Sequence, residues 1–258
     1  PKAQNVKTPK ENSENLRASS IPDSFSLKNK MTKVKDQGTC GSCWAFATTA
    51  LIEYYFKNKY NREYDLSEQY LVDCTSDLND TSYTFNKGCD GGNFWRVYSI
   101  LRDKELKGIP LESTYPYIDK DGYCRPYRDK IFFNFEESYR PRYSTVESIQ
   151  NFLMDYGPLY TGMDGNILGA NYKSGYYISK PENCNGNEIN HAVVITGWNY
   201  TNSRELIWEV RNSWGDKWGY AGYFYINNDY NACGVSNTSY MYMAEINTTK
   251  ETTKDTCP

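Results

Sequence analysis

The hydrophobic period of this chain changes midway, and that change bounds its fold more tightly than any other feature. In the first half the apolar residues recur at helical spacing. The run from Cys43 to about Lys57 is apolar nearly all round, which predicts a buried central helix with Ser42 as its N-cap. A short helix is predicted over Ser67–Asp73. Another is predicted over Asn93–Leu106, with Phe94, Val97, Tyr98 and Leu101 at helical spacing and Gly108 as a stop. A helix near Val146–Tyr156 opens on a capping box, Ser144-x-x-Glu147, and closes at Gly157-Pro158. Beyond it, runs rich in Val, Ile, Tyr and Trp lie between Gly and Asn turns. They predict strands at Ser174–Ile178, His191–Trp198, Glu205–Val210, Gly222–Ile226 and Ser239–Ile246. Helices first and sheet second predicts an α+β protein with two segregated halves, mainly helical over about residues 40–130 and mainly β over about 131–246.

The 258 residues allow one large domain or two compact halves sharing an interface. Residues 1–20 and 247–258 are polar and read as a flexible lead and tail around a folded body of 21–246. A net charge of −3 argues against nucleic acid as the main partner. No run approaches the roughly 18 consecutive apolar residues of a membrane span, and no secretory leader is visible. Eight cysteines, with sequons at Asn79, Asn199, Asn237 and Asn247, point to an oxidising, extracytosolic route. The chain has a single histidine, His191. One histidine excludes an H-E-x-x-H zinc site and the paired Cys/His spacing of a zinc finger. No metal and no cofactor is expected, and any imidazole general base must be His191.

The richest segment is Gln37-Gly38-Thr39-Cys40-Gly41-Ser42-Cys43-Trp44-Ala45-Phe46. A cysteine in the first turn of a buried helix faces the positive end of the helix dipole, which favours thiolate, the nucleophilic form. A lone cysteine there is more often an inert buried thiol or half of a disulfide. Two other positions bear on the choice. His191 leads an apolar strand and can project into a cleft at the sheet rim. Asn212, in Arg211-Asn212-Ser213-Trp214-Gly215, ends another strand.

Together these residues carry a family resemblance. Cys40-Gly41-Ser42-Cys43-Trp44 fits the C-G-[SA]-C-[WY] signature of the papain/cathepsin cysteine proteases. His191 and Asn212 follow at similar spacing. Asn212-Ser213-Trp214-Gly215-x-x-Trp218-Gly219-x-x-Gly222-Tyr223, Gly88-Cys89-Asp90-Gly91-Gly92 and Leu66-Ser67-Glu68-Gln69 also resemble family motifs, and the likeness runs from about Ile21 to Ile246. The resemblance implies a two-lobed papain-like fold, with a helical half, an antiparallel β-barrel-like half and the active-site cleft between them. It implies a cysteine peptidase in which Cys43 forms a thioacyl-enzyme, His191 is the acid/base and Asn212 orients it. Gln37 would donate its amide to the oxyanion beside the Cys43 N–H, and Trp214 would cover the His–Asn bond.

By the same resemblance Cys40 would pair with Cys89, Cys74 with Cys124 and Cys184 with Cys233, leaving Cys257 as an orphan. Gly91, Gly92, Asn190 and Trp214 would contact substrate. Phe94, Gly162, Ile189 and Thr238 would line the pocket for the side chain two residues before the cut. That lining is apolar, so a bulky apolar residue is expected there, with weak acceptance of arginine. A peptide ligase, an aminopeptidase and a catalytically dead binding protein of the same fold are the alternatives. A dipeptidyl-carboxypeptidase is excluded because its occluding-loop histidines are missing. The implied partners are polypeptide substrates, a pro-segment and cystatin-like inhibitors of a monomer that is secreted or held in an acidic lysosome-like compartment. No pro-segment motif precedes Ile21, so the chain reads as the mature form of a zymogen. The Cys74–Cys89 stretch is long and reads as a surface loop near the cleft.

Overall fold

A computed structural model describes residues 20–77, 85–103, 106, 108–125, 127, 129–131, 133–141, 143, 145–169, 172, 177–178 and 188–248. Residues 1–19 of the expected lead 1–20 and residues 249–258 of the expected tail 247–258 lie outside those residues, as do the sequon at Asn79, half of the Cys74–Cys89 loop, Cys184 and Cys257; Asn247, expected in the tail, closes the last strand instead.

The first half is built on helix α1, Cys43–Tyr60, preceded by the two-residue strand β1, Phe25–Ser26. Of the α1 side chains, thirteen from Cys43 to Phe56 are buried, as the all-round apolar run requires. It continues three residues past the expected Lys57 and stops where Asn61 turns left-handed, at φ 52°. Ser42 precedes the helix but makes no capping bond; its Oγ lies 2.6 Å from the Tyr117 hydroxyl. Helix α2, Glu68–Cys74, is capped by Ser67, whose Oγ accepts from Tyr70 N–H at 3.0 Å. Helix α3, Phe94–Asp103, starts one residue after the expected Asn93, and Leu106 is not helical. The short strands β2 (Ile109–Pro110) and β3 (Lys130–Ile131) pair with each other.

The second half holds β4 (Asn134–Tyr139), α4 (Val146–Tyr156), β5 (Leu159–Met163), α5 (Asn166–Gly169), β6 (Tyr177–Ile178), β7 (His191–Tyr200), β8 (Leu206–Arg211), β9 (Tyr223–Asn227) and β10 (Met243–Asn247). The N-cap of α4 is Thr145, which accepts from Ser148 N–H, and not the expected Ser144 one residue earlier. A six-stranded sheet runs β1-β7-β8-β9-β6, with β5 also on β7; every pairing is antiparallel except β6 with β9. It is an open sheet and not a closed barrel among the described residues. The expected strand over Ser239–Ile246 is also corrected. Its first part is a 3-10 turn, Thr238–Tyr240, because the Asn237 carboxamide accepts from Ser239 N–H and curls the chain before β10 begins.

Strand β7 packs on α1, and this contact positions the site. Eight of the ten β7 residues are buried, so its inner face presses on the helix while its first residue reaches the sheet rim. The ribbon β4–β10 turns the other way and packs on α3 and α1. The general α+β class read from the changing period is therefore the observed one.

Candidate active site

Cys43 is the first residue of α1 and is 9 % exposed. Its sulfur accepts a hydrogen bond from Ala192 N–H at 3.3 Å, which ties it to the residue next to His191. Among the described residues it is the cysteine outside any disulfide. Burial pushes the Cys43 thiol up, while the N–H groups of Ala192, Trp44 and Cys43 itself pull it down. These last donors are the exposed first N–H groups of the helix.

His191 starts β7, where it faces Met163 of β5. Its Nε2 is 2.8 Å from Asn212 Oδ1, and that carbonyl also accepts from Ser213 N–H at 2.9 Å. An acceptor on Nε2 fixes the proton there and leaves Nδ1 as the ring's acceptor. Burial holds the imidazole below its usual range, opposed by the Asn212 bond. Trp214 lies over the ring, with centroids 5.1 Å apart. Trp218 meets Trp214 edge-on at 4.9 Å, so the His191–Asn212 pair sits under an aromatic roof.

Gln37 is 6 % exposed and bridges the two halves. Its Nε2 donates to Cys40 O at 2.9 Å, and its Oε1 accepts from Ser213 Oγ at 2.6 Å. Ser213 stands inside the motif around Asn212, but the sequence assigns it no role of its own.

A cleft of about 770 Å³ opens over Cys43 and His191. Gly91, Gly92, Gly162, Ile189 and Asn190 line it, and Trp95, Tyr160, Tyr240 and Tyr242 form an aromatic wall. Phe94 and Thr238 do not reach its surface. Phe94 is fully buried behind the wall, stacked on Tyr242 with centroids 5.6 Å apart. Thr238 is buried at the start of the 3-10 turn, whose next two residues, Ser239 and Tyr240, face the cleft instead. Trp214 covers His191 from the opposite side and lines a second groove. Gly92 must be glycine for a reason the sequence did not reveal. A Cβ there would lie 2.5 Å from Asn86 Oδ1 and 2.7 Å from the Trp44 indole.

Cys40 is bonded to Cys89 and Cys74 to Cys124. Cys233 is also disulfide-bonded. Of the sequons, Asn199 and Asn247 are exposed, whereas Asn237 is half-buried and engaged in its capping bond. Among the described residues no cluster of His, Cys, Asp or Glu could hold a metal ion, and no helix is long and apolar enough to cross a membrane. A thiol at a helix start, an imidazole oriented by a carboxamide and a second carboxamide nearby form the arrangement that nucleophilic acyl transfer needs.

Comparison with known proteins agrees with this geometry. The family described as "Papain family cysteine protease" matches residues 21–243. The viral cathepsin of Choristoneura fumiferana nuclear polyhedrosis virus is 37 % identical over 211 residues, covering 81 % of this chain and 60 % of that protein. The viral cathepsin of Autographa californica nuclear polyhedrosis virus is 36 % identical over 211 residues, with the same shares. The chain thus spans about 60 % of the length of the curated relatives it matches. Among solved structures, digestive procathepsin L 3 from the larval midgut of Tenebrio molitor superposes with a TM-score of 0.77 at 30 % identity, covering 93 % of this chain and 74 % of that one. The bromelain protease of Ananas comosus in complex with the E64 inhibitor superposes with a TM-score of 0.70 at 28 % identity, covering 86 % and 98 %.

Proposed function

The chain belongs to the papain family of cysteine proteases, and from that premise we propose that it is a cysteine endopeptidase working through a thioacyl-enzyme on Cys43. The observation that carries the reading is the 2.8 Å bond from His191 Nε2 to Asn212 Oδ1 beside a buried thiol at a helix start. Burial disfavours either charge alone, so Cys43 and His191 ionise as a pair, thiolate with imidazolium. The thiolate attacks the peptide carbonyl. The imidazolium then protonates the leaving amine, and the regenerated imidazole takes a proton from the water that hydrolyses the thioester. Asn212 keeps the imidazole in the working tautomer. The Cys43 N–H and the Gln37 amide stabilise the oxyanion.

The substrate lies extended along Gly91 and Gly92. Its side chain two positions before the cut meets Gly162, Ile189, Tyr160 and Tyr242, so a bulky apolar residue is favoured and arginine is accepted weakly. A pro-segment, as in the procathepsin relatives, precedes the active form, which is secreted or held in an acidic compartment. Cystatin-like proteins are expected inhibitors of a monomeric enzyme.

Labelling with a thiol-directed epoxide tests the core of this reading. Modification mapped to Cys43, lost in His191→Ala together with peptide hydrolysis, is the expected result. An unlabelled Cys43 in the folded, reduced protein would refute it. A peptide-library profile with arginine above leucine at the subsite two residues before the cut would overturn the specificity.

A further inference from the structure

The segment from Tyr117 to Asp121 braces the loop that carries Gln37 and leads into Cys43. The Tyr117 hydroxyl donates to Gln37 O at 2.8 Å. Asp119 Oδ1 accepts from Thr39 N–H and Cys40 N–H, each at 2.8 Å, and its Oδ2 accepts from Thr39 Oγ1 at 3.1 Å. Asp121 Oδ1 accepts from Cys89 N–H at 2.8 Å, so both half-cystines of the Cys40–Cys89 bridge are held by carboxylates two residues apart. The fit is close: a Cβ on Gly38, where φ is +61°, would lie 2.5 Å from Asp119 Oδ2. The brace is itself fixed to α2. Gln69 Oε1 accepts from Ile118 N–H at 3.0 Å, Gln69 Nε2 donates to Lys120 O at 2.9 Å, and Asp73 Oδ1 accepts from Gly122 N–H at 3.0 Å.

Cys40 is where the brace meets the chemistry. Its N–H is taken by Asp119, and its carbonyl accepts from Gln37 Nε2 at 2.9 Å and from Ser42 N–H at 2.8 Å. We propose that Asp119 is a positioning residue for the oxyanion site: it fixes the Cys40 peptide plane, and the Cys40 carbonyl sets the direction of the Gln37 amide. The assignment rests on the peptidase reading above. The donors around Asp119, Cys40 N–H first among them, hold its carboxyl below the usual carboxylate range. The effect belongs to the step in which negative charge develops on the carbonyl oxygen, because that step needs Gln37.

Two readouts separate this role from plain structural support. Peptide hydrolysis needs both the thiolate pair and the oxyanion site. Alkylation of Cys43 by iodoacetamide needs only the thiolate, which displaces iodide from carbon and forms no oxyanion. In D119A, kcat is expected to fall about tenfold or more with KM within about twofold, since small displacements at a reacting centre carry such costs, while the alkylation rate of Cys43 stays at the wild-type value. D119N, which retains the Oδ1 acceptor, should recover most of the lost kcat. Unchanged turnover in D119A, or turnover and alkylation falling together, would overturn the assignment. So would a D119N variant as impaired as D119A. If wild-type protein shows neither hydrolysis nor Cys43 alkylation, it is the peptidase reading that fails, and this assignment falls with it.

Discussion

The carboxamide of Gln37 is held at both ends by different halves of the chain, by Cys40 O at its Nε2 and by Ser213 Oγ at its Oε1. Ser213 follows Asn212, whose Oδ1 serves His191, so two adjacent residues steer both the acid/base and the oxyanion donor. Gln37→Ala should lower kcat by roughly 10²–10³, the range for losing one oxyanion donor. Ser213→Ala should give a smaller loss of the same kind, because the Gln37 oxygen would remain buried without its donor. Initial rates over a substrate series check both. A Ser213→Ala enzyme with wild-type kcat would show that Cys40 alone orients the amide. Cys43, His191, Asn212 and Gln37 were legible in the sequence because each sits inside a local motif. Ser213 as a partner of Gln37, and Tyr117 and Asp119 as partners of the same loop, were not. Their contacts span 176 and 80 residues, and no local spacing encodes them. The place of Phe94 was not legible for a related reason. Phe94 and Trp95 are neighbours in the chain, and only the packing of α3 against Tyr242 decides which of the two reaches the cleft.

Helices α1 and α2 are joined beneath the nucleophile by buried charge. Lys35 Nζ lies 2.8 Å from Glu53 Oε1, 2.8 Å from Glu68 Oε1 and 2.7 Å from Asp65 Oδ1. Glu53 and Glu68 are each about 1 % exposed in their side chains, so one ammonium faces two desolvated carboxylates. Burial outweighs the Lys35 attraction at Glu68 and, with Glu53 nearby, pushes its carboxyl up to about 7. A raised acid pKa means that the native state binds more protons than the unfolded chain between the two pKa values. Stability from this group therefore falls as pH rises from about 4.5 towards 7 and is lowest above that. Against the opposite slope of the buried His191, whose lowered pKa adds stability as pH rises, urea unfolding should show a downward slope with pH that comes from Glu68. Glu68→Gln should flatten that slope; an equally steep slope in the variant would move the effect elsewhere. Lys35→Met should cost about 3–5 kcal/mol, because it strands two buried carboxylates. The helices were legible here because an all-round apolar run has only one use, a core. The start of β10 was not, since Ser239-Tyr240-Met241-Tyr242 has strand composition while the Asn237 cap curls its first residues into a turn.

At the scale of the whole molecule, each end of the described chain crosses to the half it does not begin in. The N-terminal strand β1 pairs with β7, Phe25 stacks on Trp198 with centroids 4.9 Å apart, and Trp198 Nε1 donates to Pro22 O at 3.1 Å. Lys28 then lies over the Tyr220 and Tyr223 rings at 4.6 and 4.2 Å. In the other direction, β10 returns from the sheet half to α1, where Tyr55 Oη donates to Glu245 Oε1 at 3.0 Å and Tyr60 Oη donates to Ile246 O at 3.3 Å. A division into a helical and a β half therefore describes composition but not mechanical independence. Neither half keeps its own ends, and the cleft between them holds Cys43 on one side and His191 on the other. Unfolding should be a single transition, with tryptophan fluorescence, far-ultraviolet circular dichroism and residual hydrolysis lost together. Phe25→Ala removes a half-buried ring and its stack on Trp198, worth about 2 kcal/mol. It should shift that transition to lower urea without splitting it, and kcat in native buffer should hold because Phe25 touches nothing in the site. Fluorescence and dichroism transitions that separate in the variant would show that the crossed ends, and not the α1–β7 contact, are what make the two halves one cooperative unit.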